Sequence, residues 1–187
     1  MKLLSTKLQG VFIIEIESFE DQRGSFVKTF NFDVFKENNL ETEFKESFYS
    51  ISKKNVVRGM HFHLPPKDHS KLVYVTKGKA LDVVLDIRSG SPTYGESISV
   101  EIGDENKKMI YIPRGCAHGF CSLEEDTCMV YLQTGSYSKE EDTGILYNSF
   151  GCDWGINTPI ISQRDQGFQK LENFRSPFIY TSNETTS

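Results

Sequence analysis

Three of the four histidines of this chain fall in the stretch Arg58-Gly-Met-His61-Phe-His63-Leu-Pro-Pro-Lys-Asp-His-Ser-Lys71. Side chains two apart on a strand share a face, so His61 and His63 project together. The Pro65-Pro66 pair ends that strand, and Lys71 opens the next, Lys71–Thr76. An arginine, two imidazoles and an ammonium converging on one region suit an anionic substrate and the movement of protons.

A histidine base needs an orienting acceptor, a proton donor across the substrate, and positive charge where an oxyanion develops. Asp82, Asp86 and Asp165 are candidates for the acceptor, and Tyr74, Tyr131 and Tyr137 for the donor. Arg58, Lys71 and His118 are candidates for the charge. Spacing does not choose among them. A second chemistry uses the same side chains: imidazoles from neighbouring strands hold divalent metals, and His61, His63 and His118 with Asp68 would form such a set. The Pro113-Arg-Gly-Cys-Ala-His118 spacing resembles the second motif of the cupin superfamily, but the glutamate expected after His-x-His is absent.

The elements that must position these residues read as strands. Val11–Glu17 is a buried strand, and the turn Asp21–Gly24 leads into Ser25–Phe30, expected to form a hairpin with it. A short helix is expected over Asp33–Asn38, with Asp33 as its N-cap. Further strands are expected at Phe44–Ser52, from Val56 through the histidine stretch, and at Lys79–Arg88, Ser97–Ile102, Met109–Ile112, His118–Leu123 and Thr127–Thr134. A weak helical signal lies at Ser138–Asp142. Short strands punctuated by Gly and Pro predict an antiparallel sandwich or jelly-roll barrel.

At 187 residues the chain fits one domain, expected over 1–180 and followed by a polar, disordered tail, 181–187. A net charge of −5 with no basic stripe argues against nucleic-acid binding. No apolar run approaches the ~18 residues of a membrane span. The four cysteines form no CxxC pair, and the N-terminus lacks an apolar signal core, so reduced thiols in the cytoplasm are expected.

Several stretches together resemble the dTDP-4-dehydrorhamnose 3,5-epimerase family. They are Asp21-Gln-Arg-Gly-Ser-Phe26, Val57-Arg-Gly-Met-His-Phe-His63, Lys71-Leu-Val and Asp82 through Gly95. Ile112-Pro-Arg-Gly-Cys-Ala-His-Gly-Phe120, Val130–Thr134 with Tyr137, Trp154 and Ile161–Asp165 continue the match in order. The resemblance implies an all-β, cupin-type jelly roll with a few short peripheral helices, working without metal or organic cofactor. It implies inversion of carbons beside a C4 ketone in a nucleotide-linked 6-deoxy sugar, for deoxysugar and surface-polysaccharide synthesis. By the same resemblance His61 is the base, Asp165 holds its ring, Tyr131 reprotonates the opposite face, and Lys71 with His118 stabilises the enolate. Asp82 supports that network, Arg58 reaches the sugar and diphosphate, and Tyr137 lines the nucleotide end. Arg23 and Phe26 would come from the partner in a homodimer with exchanged N-terminal strands.

The sequence departs from the family at a few places. His63 stands where the family has Gln, Lys28 where it has Glu, Glu46 and Phe48 where it has Gln and Asn, and Gly155 where Pro is common. Lys28, Glu46 and Phe48 fall where the family reads its nucleobase, which leaves the carrier open among dTDP, CDP and GDP. So is the choice between inverting C3, C5 or both. Three other readings stand beside the epimerase: a ketoisomerase on a similar sugar nucleotide, a metal-binding cupin acting as oxygenase or sensor, and a non-catalytic binding module.

Overall fold

The computed structural model describes residues 1–181 of the 187. The rest of the expected polar tail lies outside the described residues. The first half contributes β1 (Lys2–Ser5), β2 (Phe12–Glu15), β3 (Ser18–Asp21), β4 (Gly24–Val27), α1 (Phe32–Glu37), β5 (Glu46–Ser52), β6 (Val57–His63), β7 (Lys71–Lys77) and β8 (Lys79–Asp86). The second contributes β9 (Ser97–Gly103), β10 (Lys108–Ile112), β11 (Cys116–Ser122), β12 (Thr127–Gln133), β13 (Asp142–Gly144) and α2 (Gln163–Gln166). One sheet has the order β1-β2-β10-β7-β12-β5 and the other β13-β6-β11-β8-β9, with β3-β4 a separate ribbon. From β5 to β13 the chain passes from one large sheet to the other at each step except the β8-β9 pair, as in a jelly roll, and the pairings between named strands are antiparallel.

Strand alternation divides the apolar residues among three layers. Val73 and Val75 of β7, Val84 of β8, Ile110 of β10, Phe120 of β11 and Met129 of β12 meet between the sheets. On the outer face of the five-stranded sheet, Met60, Phe62, Val83, Leu85 and Cys121 are covered by Trp154, Phe174 and Phe178 from the C-terminal segment. On the outer face of the six-stranded sheet, Ile14, Leu72 and Met109 are covered by Phe35 of α1 with Phe30 and Phe44. Covering both faces explains why β11 is buried at every position and reads as a continuous run rather than an alternation.

Four local expectations need correction. The hairpin at Asp21–Gly24 joins β4 to β3, with Phe19 opposite Phe26; β2 pairs instead with β1 and β10. The second strand of that hairpin is shorter than expected, ending at Val27. The N-cap of α1 is Asn31, two residues earlier than expected, and its side chain accepts from the Asp33 and Val34 amides. Ser138–Asp142 is a turn rather than a helix, because Asp142 enters β13 and pairs with His63.

Candidate active site

Between the sheets the apolar filling stops at one end, and inward positions there carry polar side chains. His61 and His63 of β6 and His118 of β11 come from one sheet. Lys71 of β7, Tyr131 and Gln133 of β12, and Glu46, Phe48 and Ser50 of β5 come from the other. All line a cavity of about 400 Å³, joined at its rim by Arg58, Tyr137, Asp142 and Arg164. Two sheets therefore present opposed side chains across a space large enough for a sugar ring.

The His61 ring is held from behind. Its Nε2 lies 2.9 Å from Asp165 Oδ1, while Asp165 Oδ2 accepts the Gly59 amide at 3.1 Å. That amide is free because β6 bulges against β11: His118 is opposite His61, yet Phe120 is opposite Arg58, so the extra residue falls at Gly59–Met60. Gly59 has φ +136°, and a Cβ there would come within 2.5 Å of Gly119 Cα, so only glycine fits. Asp165 sits on α2, where its own amide donates to the Ser162 hydroxyl at 3.1 Å. Burial opposes its ionisation, but the bonds from His61, Gly59 and Ser162 win and hold its carboxyl below the usual carboxylate value.

Lys71 Nζ donates to the His61 carbonyl at 3.2 Å and so spans from one sheet to the other. Burial pulls the ammonium down to about 8, against the opposing pull of Asp142 and Asp82. Next to His61 in register, His118 turns its Nε2 to Asp82 Oδ2 at 2.7 Å, with both residues fully buried. Asp82 is behind the cavity wall and is linked to the cavity by its bond to His118. Tyr131 is stacked on Phe48, its direct cross-strand partner, with ring centroids 4.7 Å apart. Burial and the Asp82 charge push the Tyr131 phenol well above its ordinary range, with Ser50 and Arg58 pulling partly back. It stays a proton donor across the physiological range.

The rim is organised by polar contacts. Glu46 accepts the Gln133 side-chain amide at 2.9 Å and the Tyr137 backbone amide at 3.0 Å. Arg58 Nε donates to Ser52 Oγ at 3.0 Å and Nη2 to the Ile51 carbonyl at 3.4 Å, which fixes the guanidinium at the rim. His63 accepts the Ser138 amide at 3.3 Å. Four wall residues were not singled out from sequence: Ser50, Gln133, and the Arg164–Asp142 ion pair at 2.8 Å. Ser50 and Gln133 follow Phe48 and Tyr131 at the strand period, a signal that was there to use; Asp142 opens the three-residue β13 and Arg164 lies on the one-turn α2, both too short for a periodic signature.

Arg23, Phe26 and Lys28 are exposed on or next to the β3-β4 ribbon and are not among the residues lining this cavity. Arg23 is engaged by Asp21 of the same turn. Asp68 lines a separate surface hollow with Arg88 and Arg114, Asp86 is tied to Arg88, Ser91 and Thr93, and Tyr74 packs near α1. Among the described residues, no three His, Cys, Asp or Glu side chains are grouped to hold a metal ion. His61, His63 and His118 each commit a ring nitrogen to a protein partner instead.

Comparison with known proteins gives the same reading of this architecture. A sequence profile described as dTDP-4-dehydrorhamnose 3,5-epimerase matches residues 5–173. The dTDP-4-dehydrorhamnose 3,5-epimerase of Shigella flexneri is 39% identical over 174 residues, covering 91% of this chain and 96% of that one. A dTDP-4-dehydrorhamnose 3-epimerase of Streptomyces niveus is 34% identical, covering 89% of this chain and 82% of that one. The crystal structure of a dTDP-6-deoxy-D-glucose-3,5-epimerase of Legionella pneumophila, in complex with dTDP-4-keto-L-rhamnose, superposes with a TM-score of 0.92 at 30% identity, covering 97% of this chain and 99% of that one. The fold is thus cupin-like, and the chain belongs to the dTDP-4-dehydrorhamnose 3,5-epimerase family of deoxysugar-forming isomerases.

Proposed function

We propose that this protein inverts C3, C5 or both in a dTDP-linked 4-keto-6-deoxy sugar, with His61 as base and Tyr131 as acid. The observation that carries the reading is their placement on opposite sheets, facing one cavity, the base with a carboxylate behind it and the phenol kept protonated. Inversion needs a proton taken from one face of a carbon and another returned to the other face. His61 accepts the proton beside the C4 ketone, and the C–H electrons move into a C–C double bond while the carbonyl becomes an enolate. Lys71 and His118 stabilise that oxyanion, as fixed donors in a partly dry site do most effectively. Tyr131 then gives its proton to the carbon as the carbonyl re-forms, and solvent restores both groups.

Arg58 at the mouth suits the diphosphate, and Tyr137, Phe48 and Glu46 suit the nucleobase. A second copy of the chain completes this end with Arg23, Phe26 and Lys28. Support for a homodimer comes from exposed apolar groups: Phe19 and Phe26 are 66% and 63% exposed on an otherwise unpaired ribbon, and Tyr49 and Ile51 stand out on the edge strand β5. Four unpaired cysteines fit the reducing cytoplasm. No helix among the described residues is long and apolar enough to cross a membrane.

Proton NMR in D2O with dTDP-4-keto-6-deoxy-glucose tests the reading. Loss of the C3 or C5 proton signal, with the C4 ketone retained and the epimer formed, is the expected result and names the inverted centres. A product whose ketone has moved to C3 would replace the epimerase by a ketoisomerase. No exchange with dTDP-, CDP- or GDP-linked substrate, in folded protein, would overturn both.

A further inference from the structure

Two buried histidines lie beneath the loop between β12 and β13 and have no part in the chemistry above. His63 and His69 are 7% and 6% exposed, with ring centroids 4.6 Å apart. His63 Nε2 accepts the Ser138 amide, so in the neutral ring the proton sits on Nδ1. His69 Nδ1 faces the Lys67 carbonyl at 2.9 Å, which fixes its proton there and leaves Nε2 bare. The two remaining nitrogens, His63 Nδ1 and His69 Nε2, are buried without partners, one a donor and one an acceptor on adjacent rings. Both rings bear on the same loop. A Cβ on Gly135 would come within 2.7 Å of His69 Nδ1, and His63 meets the Tyr137 ring edge to face at 5.7 Å.

We propose that His63 and His69 act as a neutral imidazole pair that positions the loop 134–141 and thereby sets Tyr137 at the mouth of the cavity. The inference rests on the epimerase reading and adds to it the element that places the nucleobase contact. A second proton on His63 would put an N–H against the Ser138 N–H and break the link to the loop. The charged groups facing the pair are Lys71 of β7, Asp142 of β13, Glu141 of the loop and Arg164 of α2. Burial, aided by Lys71, keeps both rings below the ordinary histidine value, His69 at about 4, although Asp142 and Glu141 pull His63 the other way. Neutral rings at neutral pH are what the hydrogen bonds require.

The test is calorimetric titration of dTDP into wild type, His63→Gln, His63→Ala and His69→Gln from about pH 8 down to about pH 5, alongside steady-state kinetics. Wild-type affinity is expected to fall as the pH drops below the ordinary histidine value. His63→Gln, whose amide oxygen can take the Ser138 N–H and cannot gain a proton, should flatten that fall. His63→Ala should weaken dTDP roughly tenfold, with the loss falling on KM more than on kcat. An unchanged pH profile in His63→Gln, or a loss confined to kcat, would overturn the proposal. If His63→Ala does not fold, the glutamine variants still give the profile. Wild type that binds no dTDP at any pH would take down the functional reading together with this inference, and that is distinct from binding whose pH profile is indifferent to His63.

Discussion

Lys71 and His61 are joined through the backbone rather than through their working atoms: the ammonium donates to the His61 carbonyl, 3.2 Å away, and leaves the imidazole to Asp165. A cation is thus fixed beside the proposed base without competing for its proton. Because burial brings Lys71 down to about 8, the cation is present below that pH and lost above it. The alkaline limb of kcat should therefore have an apparent value near 8. Lys71→Arg, charged at every accessible pH, should remove that limb, and Lys71→Met should lower kcat by ~10²–10³-fold. An alkaline limb that persists in Lys71→Arg would assign it to another group.

The same burial has a stability consequence of opposite sign. Between about 8 and the ordinary lysine value of 10.5 the unfolded chain holds more protons on this lysine than the folded one, so its contribution raises stability as pH rises through that window. At neutral pH the buried ammonium is a cost, so Lys71→Met should raise the unfolding free energy by about 1–2 kcal/mol while removing activity. Urea denaturation at two pH values measures both effects. A variant both inactive and less stable would show that the bond to the His61 carbonyl matters more to the fold than desolvation does.

Asp165 serves two donors, and its substitutions should separate them. Asp165→Asn keeps a hydrogen-bonding oxygen for one donor but no charge for the imidazolium, and should lower kcat by about 10²–10⁴-fold with a small change in KM. Asp165→Ala also leaves the Gly59 amide without its partner and should cost a further ~1–3 kcal/mol of stability. In the native protein the carboxyl's depressed value means that its contribution to stability is full above the unfolded value of 3.8 and fades as pH falls through the lower folded one. Thermal melts of the three proteins at neutral and acidic pH check the order.

Gly59→Ala should be among the most damaging single changes in β6. The new methyl meets Gly119 backbone and the φ is one that side chains rarely adopt, so a loss of more than about 2 kcal/mol is expected. Relief by moving β6 away from β11 would also move His61 from Asp165. Activity should fall even where the protein remains folded, measurable as reduced kcat at a temperature well below the melting point.

How much of this could be read in the sequence differs by residue. His61 and His63 were legible as a pair because strand period alone puts them on one face, and Phe62 between them goes to the core. Asp82, Asp86 and Asp165 could not be ranked from spacing. The choice depends on a bulge at Gly59 and a four-residue helix, neither of which has a periodic signature. By sequence alone the turn is paired with β2, because Ser18–Asp21 is short and, apart from Phe19, polar, whereas β2 offers an apolar run. Arg23, Phe26 and Lys28 are not among the residues lining the cavity, and strand period along the chain gives no reason to place them there.

Tyr131 and Phe48 provide the last test, because the proposed acid is not held by a charged partner. Its ring is stacked on Phe48, at the direct cross-strand position, and stands edge to face with His118 at 6.0 Å. Tyr131→Phe keeps the packing and removes only the hydroxyl, so the base still removes protons while their return to the opposite face fails. In D2O the expected outcome is continued loss of the substrate's own proton signal with epimer formation slowed by about 10²–10⁴-fold. Phe48→Ala keeps the hydroxyl but leaves the phenol ring free to turn and admits water to its buried side, which lowers the acid's value toward normal. Its effect should be smaller, about tenfold on epimer formation, with washout again less affected. Equal losses of washout and inversion in Tyr131→Phe would place the tyrosine in enolate formation, and the proton returned to the opposite face would then have to come from water.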